Sequence, residues 1–305
     1  MDTTSTLVAG SLPLCEDILD IVMSQLCDDK TSLSRISLVS KLFMVIARRH
    51  LFRTIAVEGV ITTPGRRLPP RYGFWAFNEF LLSSRETSYL IQDISLIDNN
   101  SGRRASLDYN LLGQILSNLP SLRNLTLDCI NWKGRIEEDR DDSRIFVPTS
   151  LRHLSITNSS VQGEPEGFTG KQNLFDLFAL FSTIDTLRFS STNIPGEHHY
   201  PSIINSPECQ RMEIPPYVQV RSLVFRGKLE IYTLEAIRKS GSLGTLKDVS
   251  LPWYSWEDLV AVGAFLRGVG QGIQNISFTP ERTFGRPKRC ATTSTVTIQM
   301  VCGQY

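Results

Sequence analysis

Leu122-Arg123-Asn124-Leu125-Thr126-Leu127 carries the pattern that decides the fold of this chain: apolar, two others, apolar, one other, apolar. In an extended backbone, successive side chains point to opposite faces. Leu125 and Leu127 therefore share one face and Thr126 the other. The same six-residue pattern recurs upstream at 91–96 and downstream at 151–156, 184–189, 220–225, 246–251 and 273–278. Its middle apolar residues are Ile94, Leu125, Leu154, Leu187, Leu223, Val249 and Ile276, and by subtraction the steps are 31, 29, 33, 36, 26 and 27 residues.

Helical periodicity fills several of the gaps. Leu107, Leu111, Leu112, Ile115, Leu116 and Leu119 follow one helical face, as do Leu174, Phe175, Leu177, Phe178 and Phe181. Leu234 with Ile237 continues the series, and Leu259, Val260, Val262, Phe265 and Leu266 end it. Alternating strand and helix implies parallel strands joined by crossovers. The strand pattern resembles the core of leucine-rich repeats, which implies an irregular α/β solenoid over 72–278. A closed or flat α/β sheet satisfies the same alternation, and the self-similarity of the motif favours the solenoid. Phe74, Trp75, Phe77, Phe80, Leu81 and Leu82 predict an apolar helix at 73–83, suited to capping the open end of the array. The segments 132–148, 163–170 and 195–216 are expected to be surface loops.

The stretch 14–55 has a different character: LCEDILDIVMSQLCDDKTSLSRISLVSKLFMVIARRHLFRTI. Ile18, Leu19, Val22, Met23 and Leu26 lie at the spacing of one helical face. Thr31 or Ser32 is placed to cap a second helix carrying Leu33 and Ile36. A third helix carries Leu42, Phe43, Val45, Ile46 and Leu51 and ends in Arg48-Arg49-His50, where positive charge suits the carbonyl end. Some forty residues are too few to bury so much apolar surface internally. The surplus must face a neighbour, either another protein or the chain's own second domain.

The wording of this stretch resembles an F-box, the module that binds the Skp1 adaptor of cullin-RING ubiquitin ligases. Leu14-Cys15-Glu16-Asp17-Ile18-Leu19 is similar to the opening Leu-Pro-x-Glu-Ile-Leu of that family, with Cys15 in place of proline. Leu38-Val39-Ser40-Lys41-Leu42-Phe43 resembles its Leu-Val-Cys-Lys-x-Trp, with serine for cysteine and phenylalanine for tryptophan. Residues 47–55 resemble the exit sequence common in fungal F-box proteins. The resemblance implies an α+β chain: a three-helix F-box at 12–55, after a flexible start at 1–11, followed by a linker at 56–71 and the repeat domain. It also implies that Leu14, Ile18, Leu19, Val22, Leu33, Val39 and Phe43 meet Skp1, with Lys41 at the rim, and that cullin is engaged through Skp1. The repeat domain would then hold a target protein on its strand face or rim loops.

Composition narrows the alternatives. The chain has 305 residues, 41% apolar and 21% charged, with a net charge of +1. Those proportions are ordinary for a globular protein, and the charge disfavours nucleic acid as principal partner. No run approaches the ~18 apolar residues of a membrane span. Residues 1–11 lack the features of a secretory signal. The six cysteines have no paired spacing and are expected to be reduced thiols in a cytoplasmic or nuclear protein. Residues 279–305 form a basic and then threonine-rich tail, with a final strand expected at 295–301.

Catalytic patterns are missing from the sequence. The histidines His50, His153, His198 and His199 have no partner at metal spacing, and no HExxH, CxxC or GxSxG occurs. Gly268-Val269-Gly270-Gln271-Gly272 lacks the phosphate-loop pattern and suits the end of a helix. No cofactor is expected. Three readings follow: a non-catalytic substrate receptor of an SCF-type ubiquitin ligase, a repeat-type binding scaffold with a vestigial F-box, and an α/β enzyme with a site assembled from distant residues.

Overall fold

The computed structural model describes residues 16–59, 73–98, 106–134, 146–157, 159–161, 176–190, 215–226, 234, 237–238, 244–253, 256–269, 272–280 and 296–299. Contacts divide the chain into two compact units, Met1–Thr54 and Ile55–Tyr305. The first contains α1 (Glu16–Ser24), α2 (Lys30–Ile36) and α3 (Lys41–Arg53). The second is built on a sheet of nine strands: β1 (Thr54–Glu58), β2 (Asp93–Ile97), β4 (Asn124–Asp128), β6 (Thr149–Thr157), β8 (Phe181–Ser190), β9 (Gln219–Arg226), β10 (Asp248–Trp253), β11 (Asn275–Pro280) and β12 (Val296–Gln299). A smaller sheet holds β3 (Ser106–Asp108), β5 (Asn131–Gly134) and β7 (Ser160–Val161).

In the large sheet the spatial order is the order along the chain. Strands β2 to β11 run parallel to their neighbours, and β12 pairs antiparallel with β11 inside the stretch where a last strand is expected. A doubly wound sheet would reverse its order partway, and this one does not.

The register explains why the sequence motif recurs. Ile94, Leu125, Leu154, Leu187, Leu223, Val249 and Ile276 are Cα partners across successive strands. All seven are buried, as are Leu96, Leu127, Ile156, Phe189, Phe225 and Leu251 two positions later. Slipping one strand by one residue would turn its apolar face outward, so burial locks the register. Phe178 packs edge-on to Phe189 at 6.4 Å, and Phe189 stacks on Phe225 at 5.3 Å, filling the middle of the core. The backbone repeats as well. The Gln92 carbonyl accepts from the amides of Arg123 and Asn124, the Arg123 carbonyl from Arg152 and His153, and the Lys247 carbonyl from Gln274 and Asn275. Side-chain amides of Asn124 and Asn275 donate to Asp93 and Asp248 on the preceding strands.

Helices of this unit with described bounds are α4 (Phe74–Ser83), α5 (Arg85–Ser88), α6 (Tyr109–Ser117) and α7 (Trp256–Val269), and residues 176–178, 234 and 237–238 are also helical. Asp108 caps α6 by accepting from the Leu111 amide at 2.8 Å.

Four expectations need correction. The helix foreseen as an end cap is α4, and it lies in the chain between β1 and β2 and packs against α6. It does not open the array, because one strand of the large sheet precedes it. That strand, β1, takes up residues 56–58 of the expected linker, and Ile55 and Val57 pack on the main core. Phe52 to Val57 follow the same apolar spacing as the seven motifs, but Phe52 belongs to α3, so this copy is hidden at the end of the helical stretch. Residues 132–134, expected to begin a surface loop, belong instead to β5, with Trp132 buried in the second sheet. Cys129, at φ 58, turns the chain sharply between β4 and β5, and the buried Ser159 hydroxyl bridges the Ile130 amide and the Leu127 carbonyl there. Phe146, near the other end of that loop, packs on the core beside Tyr109 at 5.8 Å. Finally, Phe181 opens β8 and does not continue a helix. Segments 163–170 and 195–214 lie outside the described residues.

Candidate docking surface of the helical unit

The first unit completes a small core of its own. Leu19 and Met23 from α1, Leu33 from α2, and Ile46 and Ala47 from α3 are buried together, with Leu26, Ile36, Phe43 and Leu51 packed around them. Leu19 and Met23, four apart on α1, share an inward face as helical periodicity requires, and Ile46 and Ala47 both fall within a broader inward stripe of α3.

Polar contacts fix the three helices. Asp29 caps α2, accepting from the Ser32 amide at 2.9 Å and the Ser32 hydroxyl at 2.6 Å. The hydroxyl bond, then the amide bond, holds the Asp29 carboxyl below its usual range. This corrects the expected Thr31 or Ser32 cap: the helix starts earlier, and Ser32 is the donor. Ser40 caps α3 through the Phe43 amide at 3.3 Å. Lys30 Nζ donates to the carbonyls of His50 and Leu51 at 2.8 and 3.2 Å, satisfying acceptors in the last turns of α3. Asp20 meets the buried His50 ring at 3.0 Å, and Glu16 pairs with Arg49 at 3.1 Å, so one edge of α1 is tied to α3.

The remaining apolar side chains stay outside. Ile18, Ile21 and Val22 project from α1, and Leu42, Met44 and Val45 from α3. The turn between α2 and α3 carries Leu38 at 85% exposure and Val39 at 70%. Single exposed apolar residues are common on protein surfaces, but eight in a module of this size are not.

Of the residues that the F-box resemblance assigns to the adaptor, Ile18, Val22, Val39 and Lys41 are exposed and Phe43 is half-buried against the core. Leu19 and Leu33 are corrected to interior residues, at 6% and 0% exposure, because the three helices converge on them. Leu14 lies outside the described residues. The structure adds Ile21, Leu38, Leu42, Met44 and Val45 to the outer surface. Leu38 and Leu42 stood within the quoted motif, and their exposure depends on where α2 stops and α3 starts.

Among the described residues, no group of three or more His, Cys, Asp or Glu side chains is placed to hold a metal ion. Neither Cys27 nor Cys129 forms a disulfide among the described residues. No described helix is long and apolar enough to cross a membrane. In comparisons with known proteins, the chain matches no family model and no curated protein.

Proposed function

We propose that this chain is the substrate-recognition subunit of an SCF-type ubiquitin ligase. The first unit docks on a Skp1-like adaptor, and through it on cullin, while the second binds the target protein. The observation that carries this reading is a three-helix unit that has filled its own interior and still exposes eight large apolar side chains. Covering such residues is favourable at roughly 25 cal/mol per Å² of apolar surface. The match of the 14–55 stretch to the F-box pattern supports Skp1 as the protein that covers them. We read the second unit as a leucine-rich-repeat-like solenoid. One strand per motif, in chain order and in register, supports that reading. The receptor performs no chemistry itself. It raises the local concentration of target lysines near a ubiquitin-loaded enzyme held elsewhere in the complex.

The test is binding of the full chain to purified Skp1, followed by co-elution with cullin. Association at micromolar concentration or tighter is expected. No binding at that concentration would leave the scaffold reading, in which the helical unit has no adaptor.

A further inference from the structure

The second position of the strand motif builds a column of charge along the sheet. Arg123, Arg152, Arg221 and Lys247 occupy that position in four copies, and all four are exposed. Backbone hydrogen bonds make Arg123 and Arg152 direct neighbours, and likewise Arg221 and Lys247, through Arg152 N to Arg123 O at 2.7 Å and Lys247 N to Arg221 O at 2.8 Å. Asp185 stands between the two pairs on β8, since its neighbours Ile184 and Thr186 are in register with both flanking strands. None of the four cations forms an ion pair among the described residues. Like charges side by side on adjacent strands are destabilising, and Asp185 is the one carboxylate that shares their motif position among the described residues. At the fifth motif position of β8, the buried Nε of Arg188 meets no acceptor among the described residues.

Resting on the receptor reading above, we infer that this cationic column is the target-binding surface and that its ligand is a short acidic peptide segment. From β4 to β10 there are four strand spacings of about 4.8 Å, or about 19 Å, which an extended peptide at about 3.3 Å per residue crosses in about six residues. Two clusters of carboxylates, one on each basic pair, meet the pattern and skip Asp185. A nucleic acid fits less well. Its phosphates need an unbroken basic field, whereas Asp185 interrupts this column, Asp93 and Asp248 flank it, and the net charge is only +1.

The test uses the full-length chain and a fluorescein-labelled peptide of about six glutamates between glycine-serine flanks, read by anisotropy. Parallel arms use the same peptide with phosphoserines replacing the glutamates, and an oligo-dT strand. Saturable peptide binding is expected at about 50 mM salt and should fall as screening shortens the reach of the charges. Arg123→Glu with Arg152→Glu, and Arg221→Glu with Lys247→Glu, should each weaken it at least about tenfold. Arg85→Glu, an exposed reversal on α5, should not. Tighter binding of the phosphoserine peptide through the same residues assigns the anion to phosphate and supports the surface. No saturable binding, indifference to either double reversal, or tighter binding of oligo-dT overturns the inference. Skp1 capture is measured on the same variants. Peptide binding absent with Skp1 capture intact sinks the surface alone, and the converse sinks the ligase reading alone.

Discussion

Replacing Leu38 and Val39 together by aspartate should abolish adaptor docking without unfolding the helical unit. The two side chains are 85% and 70% exposed on the turn between α2 and α3. Fully burying a side chain of this kind is worth about 1.5–3 kcal/mol, so an adaptor that covers what is now exposed gains about 3 kcal/mol from the pair. At 1.4 kcal/mol per decade that is a factor of about a hundred in affinity. Placing two carboxylates in the interface adds a desolvation cost, which makes a hundredfold the floor. The same change should leave stability within about 0.5 kcal/mol, because neither side chain packs on the core. Leu33→Ala is the opposite case. Leu33 is fully buried at the junction of the three helices, and its truncation should cost about 2–5 kcal/mol. Leu19→Asp belongs with it, since a carboxylate there would sit inside the unit's own core. Titration calorimetry against Skp1, paired with thermal melts of each variant, separates the two classes. If Leu38→Asp/Val39→Asp binds like the wild type, or if it melts as early as Leu33→Ala, the exposed turn is not the docking surface.

Three further outcomes are expected. A Cβ added at Gly113 would lie 2.5 Å from the ring of Phe146, which is held against Tyr109, so Gly113→Ala should destabilise by about 1–3 kcal/mol. Adding Phe146→Ala should recover part of that loss, and melts showing strict additivity would count against the clash. Leu187→Ala removes a fully buried side chain from the middle of the registered column and should cost about 2–5 kcal/mol, read from denaturant midpoints. Asp29 has a folded-state pKa below its ordinary value of 3.8, so its contribution is present above that value and fades as pH falls through the folded one. Asp29→Asn keeps an acceptor but cannot titrate. Its helical signal should therefore lose less on acidification below about pH 4 than the wild type's, and superimposable acid profiles would refute the role of the cap.

How much of this was legible in advance depends on whether the signal was local. The seven strand motifs were, because period-two alternation decides which side chains face inward and equal spacing within each copy brings the middle residues into register. The three helices and the apolar surplus of the first unit were legible for the same reason. The identity of the docking residues was not. Ile18 and Leu19 are adjacent apolar residues on a short helix, and only the position of α3 decides that Leu19 is covered and Ile18 is left out.

The sequence by itself determined the repeating strand, its parallel stacking and the excess of apolar side chains near the N terminus. The tertiary structure alone decided that β1 leads the sheet, that Trp132 enters a second one, that Leu19 and Leu33 are interior, and that four cations line up across strands that lie far apart in the chain. The reason is that alternation is written in neighbouring residues, whereas burial and charge alignment depend on what packs from elsewhere in the chain.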